Sequence, residues 1–389
     1  MSKKKFTAHG NLKDTVNTVK FLTERIKFVN SAEPVLPTPT DDFGVNKVAR
    51  SLHPKEQSLV ITKIEDHTDI AKSYYFKSED TPLAYFKAGQ YLTFKLEIGS
   101  SVVTRSYSIA SSPASALKGE YQITVKRIAD GFVSDYILDN WQVGDKVSAY
   151  APEGNMVYNP LRDAQNIIAI AGGSGITPFL SLARAIAEGD EDCSLTLLYG
   201  CRKSDEILFR NELDALSEGN EKTNVVYVLS HSDEEGYEKG FVGADIIRKY
   251  APEGKYSIFV CGPEGLYKFL EAELPKLEIE RKFIRFEVFS SGKKTDEPKE
   301  YTITVINRGD ETVIKANSNE TVLCAFERGG IVVPARCHTG ECGFCRSKLV
   351  SGKVYIPEGE DKRRIGDVQF NYIHPCCTYP ESDLVVRIN

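Results

Sequence analysis

The chain has 389 residues, of which 41% are hydrophobic and 27% are charged, and its formal net charge is −6. This length exceeds what one hydrophobic core usually serves and favours two or three domains. The acidic balance argues against nucleic acid as a partner, because such binding needs a basic surface. We expect neither a signal peptide nor a membrane span, and therefore a cytoplasmic globular protein.

Residues 1–54 are predicted to be an N-terminal extension. Apolar residues between Leu12 and Val29 recur at intervals of three and four, which predicts a helix with one apolar face over residues 11–30. The Pro-rich stretch Glu33–Thr40 predicts a linker. We expect the extension to pack on a neighbouring domain, with partner docking as the alternative.

Residues 55–160 are predicted to form an antiparallel β-barrel. Short alternating runs occur at residues 59–64, 91–96 and 121–125, and glycines and polar turns separate them. The segment Arg105-Ser-Tyr107-Ser108 offers a guanidinium for a phosphate, an aromatic face for a flavin ring and a hydroxyl.

With the neighbouring segments at residues 86–91 and 126–134, this motif resembles the flavin domain of the ferredoxin–NADP⁺ reductase superfamily. The resemblance implies that one strand holds the flavin and that a helix N-terminus meets the pyrophosphate of FAD. It favours FAD, and FMN remains the alternative. The residues implicated as flavin ligands are Arg105, Tyr107, Ser108, Gly131, Val133 and Ser134.

Residues 161–289 are predicted to form an α/β domain with a parallel sheet. Four apolar strands, at residues 167–171, 194–199, 225–229 and 257–260, alternate with helical stretches. A glycine-rich turn follows the first strand, and glycines there let the backbone approach a pyrophosphate. A Cys-Gly-Pro segment follows the last strand.

Both segments occur in the same superfamily, which implies a nicotinamide nucleotide site. The residues expected to bind the nucleotide are Gly172, Gly173, Ser174, Gly175, Thr177, Arg202, Cys261, Gly262 and Pro263. The resemblance also implies that Glu287 lies close to the flavin edge, so Ser108, Cys261 and Glu287 are the expected catalytic residues.

The sequence leaves the donor open between NADH and NADPH. Arg202 and Ser204 suit a 2′-phosphate, whereas Asp205 or Glu206 suits a free ribose hydroxyl.

Residues 290–298 are polar and contain both glycine and proline, which predicts a linker before a final domain at residues 299–389. That domain contains Cys337, Cys342 and Cys345 in a C-x₄-C-x₂-C run, the spacing of plant-type [2Fe–2S] ferredoxins. The resemblance to that family implies an α+β β-grasp fold. A structural zinc site is the alternative, although zinc sites usually pair C-x₂-C knuckles.

Two adjacent cysteines compete for the fourth iron ligand. Plant-type ferredoxins end in a Cys-x-x-Tyr-Pro segment, and Cys376-Cys-Thr-Tyr-Pro380 matches it with Cys376 in the ligand position. The resemblance therefore implies Cys376, with Cys377 as a buried neighbour.

The three domains in this order resemble single-chain reductases that carry a C-terminal ferredoxin, of the phthalate dioxygenase reductase type. The resemblance implies an NAD(P)H-dependent enzyme that passes electrons through flavin to a [2Fe–2S] cluster and on to an unidentified protein acceptor. Two alternatives remain: an electron-transfer subunit of a larger oxidoreductase complex, and a redox sensor.

Overall fold

The computed structural model describes residues 12–31, 44–79, 81–99, 101–128, 131–287, 297–357 and 361–388. The chain separates into two units, Met1–Ala49 and Arg50–Asn389. Within the described part of the chain, no helix has both the length and the apolar character needed to cross a bilayer.

The N-terminal segment contains two helices, α1 (Leu12–Ser31) and α2 (Gly44–Leu52). The first is the predicted helix, displaced by one residue. The second falls after the predicted linker, where no helix was predicted, and its apolar residues Val45, Val48 and Leu52 follow helical spacing. The Pro-rich stretch at 33–40 lies outside the described residues.

The first sheet is antiparallel and has the strand order β4-β3-β6-β1-β2-β5. It curls into a half-barrel, because Ile109, just after β4, forms a bridge with Ile123 of β5. Helix α4 follows β5, and the ring of Trp141 at its end packs against Tyr74, Phe76 and Phe94. The elements of this half-barrel domain are β1 (Glu56–Thr68), β2 (Ala71–Ser78), β3 (Tyr91–Ile98), β4 (Ser101–Ser108), α3 (Pro113–Leu117), β5 (Tyr121–Lys126), α4 (Phe132–Asn140) and β6 (Lys146–Tyr150).

The second sheet is parallel throughout, with the strand order β10-β9-β8-β7-β11-β12. Its strands contain all four predicted apolar runs, and helices cover both faces. The elements of this parallel-sheet domain are β7 (Asn166–Gly172), α5 (Thr177–Glu188), β8 (Ser194–Cys201), α6 (Arg210–Gly219), β9 (Thr223–Leu229), β10 (Glu238–Lys239), α7 (Ala244–Tyr250), β11 (Tyr256–Cys261), α8 (Glu264–Glu273) and β12 (Ile284–Glu287).

The C-terminal domain has a mixed five-stranded sheet of order β14-β13-β19-β15-β17 and a small β16-β18 pair. A loop from Gly329 to Arg346 joins α9 to β15 and carries three of the cysteines. The elements are β13 (Glu300–Asn307), β14 (Asp310–Asn317), α9 (Val322–Arg328), β15 (Ser347–Ser351), β16 (Val354–Tyr355), α10 (Ile365–Gln369), β17 (Tyr372–Ile373), β18 (Tyr379–Pro380) and β19 (Leu384–Ile388). The three predicted architectures are therefore present in the predicted order.

A buried polar contact joins the first two domains. Arg184 of α5 donates to the Ala110 carbonyl oxygen at 2.7 Å and to Gln122 Oε1 at 2.7 Å, and Glu212 accepts from its Nε at 2.6 Å. Ser181 donates to the Ser111 carbonyl oxygen at 2.7 Å. Because these groups are buried or half-buried, the contact fixes how the carboxyl ends of the parallel strands face the half-barrel.

Candidate active site

The cysteine-bearing loop gathers four thiols from two segments of the C-terminal domain. Backbone N–H groups of Thr339 and Cys342 point at Cys337 Sγ, at 3.5 and 3.4 Å. Hydrogen bonds with the Cys342 and Cys376 thiols lower the pKa of Cys337, and the same contacts raise the pKa of Cys342 and of Cys376. Cys345 also contacts the Cys376 thiol.

Two glycines give this loop its tight curvature. Gly340 has φ +78° and Gly343 has φ +69°, in the left-handed region that side chains disfavour. Among the described residues, no three His, Cys, Asp or Glu side chains could hold a single metal ion.

The two adjacent cysteines have different surroundings. Cys376 is in contact with the thiols of Cys337 and Cys345 as well as that of Cys377. The Cys377 thiol instead donates to the carbonyl oxygen of His374 at 3.5 Å. His374 was not singled out from the sequence; it is buried, and its Nδ1 is paired with the Gly340 carbonyl oxygen at 2.7 Å. It therefore ties the Cys376 segment to the loop.

Tyr107 and Ser108 lie at the end of β4. The Tyr107 ring packs edge-on against Phe94, with centroids 6.2 Å apart. Ser108 Oγ is buried without a hydrogen-bond partner among the described residues. A buried hydroxyl in this state costs free energy, which a polar group of a bound cofactor would offset. The residues present therefore fit a flavin placed against Ser108.

Gly131 precedes helix α4 and can be nothing but glycine at this position. A Cβ there would lie 2.3 Å from Ser134 Oγ and 2.7 Å from the Ile128 carbonyl oxygen. Ser134 Oγ accepts from the Ile128 N–H at 3.2 Å, and Val133 is buried in the core beneath. Ser134 thus supports the turn that opens the helix, where backbone N–H groups favour a phosphate.

Arg105 faces a different group from the one expected. Its Nη1 is 2.9 Å from Glu327 Oε2 and also donates to the Thr104 carbonyl oxygen at 2.7 Å. Glu327 lies on α9 of the C-terminal domain, and its side chain is only 5% exposed. Burial raises the pKa of Glu327, which the nearby guanidinium offsets only in part. The flavin-phosphate role of Arg105 stays a prediction, alongside this ion pair that the sequence did not indicate.

The two predicted nucleotide segments pack directly on each other. A Cβ at Gly175 would lie 2.2 Å from the Cys261 carbonyl oxygen, and one at Gly172 would lie 2.8 Å from Pro263 Cδ. A Cβ at Gly262 would approach Leu266 to 2.7 Å. Only glycines permit this close packing of the two strand ends.

The turn from β7 into α5 is a short 3₁₀ segment at Gly173–Ile176. Gly173 has φ +53°, and Thr177 Oγ1 donates to the Ser174 carbonyl oxygen at 3.1 Å. Helix α5 is twelve residues long, so its N-terminus supplies oriented N–H groups to an anion such as a nucleotide pyrophosphate.

The three expected catalytic residues converge at one point. Cys261 and Glu287 are register partners on β11 and β12, and Cys261 Sγ lies 4.0 Å from Glu287 Oε2. Desolvation and then the charge of Glu341 raise the pKa of Glu287 to about 8. The Ser108 hydroxyl lies near enough to oppose this rise slightly, without completing a hydrogen bond.

Glu341 belongs to the cysteine-bearing loop, so all three domains meet here. Tyr91 of β3 lies at the same junction. Burial, followed by the charges of Cys337, Glu153 and Glu287, raises its pKa. Neither Glu341 nor Tyr91 was proposed as a site residue. Ser108, Cys261 and Glu287, at the ends of β4, β11 and β12, belong to sequence motifs. A contact between residues of different domains has no such motif.

Arg202, at the end of β8, is already paired. Its Nη2 and Nε contact the two carboxylate oxygens of Glu206 at 3.0 and 3.1 Å. The Glu234 carboxylate lies beside Ser204, and hydrogen bonds from Ser232 and Ser204 lower its pKa. The end of β8 therefore brings together the paired guanidinium of Arg202 and the carboxylates of Glu206 and Glu234.

Three family models match the chain in sequence order. They are the oxidoreductase FAD-binding domain over residues 59–158, the oxidoreductase NAD-binding domain over residues 169–272 and the 2Fe-2S iron-sulfur cluster binding domain over residues 305–381. The order and spacing of the matches agree with the three sheets, and they support the iron–sulfur interpretation of the cysteines over zinc.

Curated relatives match along most of their length. The chain is 30% identical over 354 residues to the ferredoxin reductase component of 3-ketosteroid-9-alpha-monooxygenase from Mycobacterium tuberculosis, covering 84% of this chain and 94% of that protein. It is 26% identical over 349 residues to the glycine betaine monooxygenase reductase subunit of Chromohalobacter salexigens, covering 84% and 93%.

Among solved structures, phthalate dioxygenase reductase matches with a TM-score of 0.65 and 25% identity, covering 86% of this chain and 98% of that one. That protein is described as a modular structure for electron transfer from pyridine nucleotides to [2Fe–2S]. Three cofactor-binding domains in one order, together with relatives matched nearly end to end, show that this chain belongs to the family of single-chain reductases with FAD-binding, NAD-binding and 2Fe-2S domains.

Proposed function

We propose that this reductase serves a separate oxygenase component, to which it delivers electrons from NAD(P)H one at a time. The observation that carries the proposal is the junction of Ser108, Cys261 and Glu287 with the cysteine-bearing loop. The reductase subunits of monooxygenases among its relatives support the choice of acceptor. We place the protein in the cytoplasm, where nicotinamide nucleotides are abundant and thiols stay reduced.

When bound, the flavin would supply hydride acceptance from the nucleotide, and the flavin and the cluster would supply single-electron transfer. The residues of the chain orient these groups. In this proposal Ser108 hydrogen-bonds the flavin, and the Gly173–Gly175 turn and α5 hold the nucleotide pyrophosphate. Burial and the nearby Glu287 raise the pKa of Cys261, so its thiol is neutral and packs against the nicotinamide without charge. Cys337, Cys342, Cys345 and Cys376 hold the irons.

The test is an anaerobic titration of the holoprotein with NADH or NADPH. We expect iron, inorganic sulfide and FAD in the purified protein, bleaching of the flavin and cluster absorption, and sustained turnover with cytochrome c. Absence of iron and sulfide, or absence of bleaching, contradicts the proposal. A redox sensor would bind the nucleotide without sustained consumption, and a subunit of a stable larger complex would co-purify with it.

We further propose NADH as the preferred donor. A 2′-phosphate would have to displace Glu206 from Arg202 and would then face the Glu234 carboxylate. A free ribose hydroxyl would instead donate to one of these carboxylates.

Replacing Glu206 by Gln should reduce the preference of the enzyme for NADH over NADPH. The substitution releases Arg202 from its bidentate partner and removes one negative charge, so kcat/KM for NADPH should rise about five- to tenfold relative to that for NADH. Steady-state kinetics with ferricyanide as acceptor measures this ratio. Glu218→Gln, at an exposed position on α6, is the matched control. An unchanged ratio in Glu206→Gln would argue against the role given to this pair.

A further inference from the structure

Strand β4 of the half-barrel forms hydrogen bonds with the C-terminal domain. Thr104 Oγ1 lies 3.1 Å from the Ala335 carbonyl oxygen and 2.9 Å from His338 Nε2. Ser106 Oγ donates to the Arg336 carbonyl oxygen at 3.0 Å. Strand β4 is an edge strand of its sheet, and its last residues carry the flavin motif. The same strand therefore serves both the expected flavin and the cysteine-bearing loop.

The hydroxyl contacts define a directed network. The Thr104 hydroxyl has one proton, and the Ala335 carbonyl can only accept, so His338 Nε2 must carry a proton and donate to Thr104. The Ser106 proton is likewise given to the Arg336 carbonyl, so Ser106 accepts from Thr93 at 2.9 Å. Each donor has one assigned acceptor, which fixes the loop in one register against β4.

Arg336 joins the two domains through its side chain. Its Nη1 is 2.7 Å from Glu153 Oε1, on the half-barrel side. Its guanidinium carbon lies 4.6 Å from the Tyr150 ring centroid and 4.1 Å from that of Phe344. Phe344 stands between the predicted iron ligands Cys342 and Cys345, so one planar cation contacts both the half-barrel and the cysteine-bearing loop.

We propose that Arg336 is a positioning residue, which keeps the cysteine-bearing loop docked on the half-barrel during turnover and so fixes the path from flavin to cluster. The inference rests on the proposed function. For each NADH oxidised to NAD⁺ and a proton, two electrons cross this contact in succession. Each reduces one ferric iron of the cluster to ferrous, and the protein acceptor removes the first electron before the second arrives.

The test compares Arg336→Met and Arg336→Lys with wild-type holoprotein. Arg336→Met removes both the ion pair with Glu153 and the stacking on the two rings. We expect flavin reduction by NADH at the wild-type rate. Flavin-to-cluster transfer should slow about tenfold in stopped-flow absorbance, because the loop would be docked for only about a tenth of the time. Arg336→Lys keeps the charge and should recover part of the rate.

Two further readouts separate positioning from other effects. Hydrogen exchange at the amides of residues 102–107 and 333–341 should accelerate in Arg336→Met, because the contact opens more often. The midpoint potential of the cluster should stay at the wild-type value in Arg336→Lys, which keeps the charge, and in Arg336→Met it should shift too little to account for the slowed transfer. Arg387→Met, at an exposed position on β19 of the same domain, is the control and should change neither readout.

Several outcomes would overturn the proposal. They are a wild-type transfer rate in Arg336→Met, unchanged hydrogen exchange, or a slowed rate explained by a shifted cluster potential. If Arg336→Met does not assemble the cluster, Glu153→Gln removes the same ion pair from the half-barrel side, outside the domain that carries the iron ligands, and should slow transfer in the same direction. If wild-type flavin is not reduced by NADH at all, the proposed function fails independently of Arg336.

Discussion

Replacing Cys376 by Ser should abolish the visible absorption of the [2Fe–2S] cluster, whereas Cys377→Ser should retain it. Cys376 is the cysteine whose thiol touches those of Cys337 and Cys345, and Cys377 is turned toward the His374 carbonyl. A serine at the fourth ligand position replaces a soft thiolate by a poorly matched hydroxyl. The pair is a matched comparison, because both residues are buried and adjacent.

Activity should follow the absorption. In Cys376→Ser, the rate of reduction of cytochrome c or of the protein acceptor should fall to a small fraction of the wild-type rate. NADH-to-ferricyanide turnover should continue through the flavin. Iron and sulfide analysis and electron paramagnetic resonance of the reduced protein check the cluster directly. The opposite pattern, with loss in Cys377→Ser and retention in Cys376→Ser, would reassign the fourth ligand. Loss of ferricyanide turnover with flavin still bound would place the cluster before the flavin in the electron path.

Replacing Glu287 by Gln should stabilise the nucleotide-free protein at alkaline pH and change little in acid. The folded-state pKa of Glu287 is about 8, above the ordinary value of 4.5. Between these values the folded protein holds a proton that the unfolded chain releases, so stability falls as the pH rises through this window. Above pH 8 the wild type carries a half-buried carboxylate beside Glu341, a cost that the neutral amide avoids.

After a discount for the partial exposure of Glu287, the expected difference above pH 8 is about 2–4 kcal/mol in the free energy of unfolding. The melting temperatures of Glu287→Gln and wild type should therefore be similar at pH 5 and diverge by pH 9. Glu278→Gln, at an exposed position between α8 and β12, serves as a control. An equal difference at both pH values would show that the gain does not come from ionisation of Glu287.

The sequence was sufficient for features that depend on local spacing. What one loop can bind depends on local features, such as the x₄ and x₂ intervals between the cysteines and the glycines at 172, 173 and 175. The cofactor-binding domains could therefore be predicted from the resemblance of these motifs to known families. The period-two and buried-strand patterns likewise indicated the antiparallel and parallel sheets. These signals survive because a strand or loop needs its pattern wherever it packs.

Contacts between domains lacked such a signal. Arg105 and Glu327 are 222 residues apart, and the Thr104 contact spans 231 residues. Any arginine on an exposed strand has a similar local sequence, whatever its partner. Arg105 was therefore interpreted through the flavin motif alone, and its ion pair, the Glu341–Glu287 proximity and the Arg336 contacts were not foreseen. Helix α2 was missed for a smaller reason, since nine residues beside a Pro-rich stretch give a weak periodic signal.

Strand β12 ends at Glu287 and β13 begins at Glu300, so only about a dozen residues tether the ferredoxin to the reaction centre. A tether this short holds a detached domain at an effective concentration on the order of millimolar. The β4 contact then needs only modest intrinsic affinity to stay occupied, and a ferredoxin domain expressed separately should bind the remaining two domains weakly. Fusion thus lets a small interface of hydroxyls and two arginine–glutamate pairs do what would otherwise demand a large apolar surface.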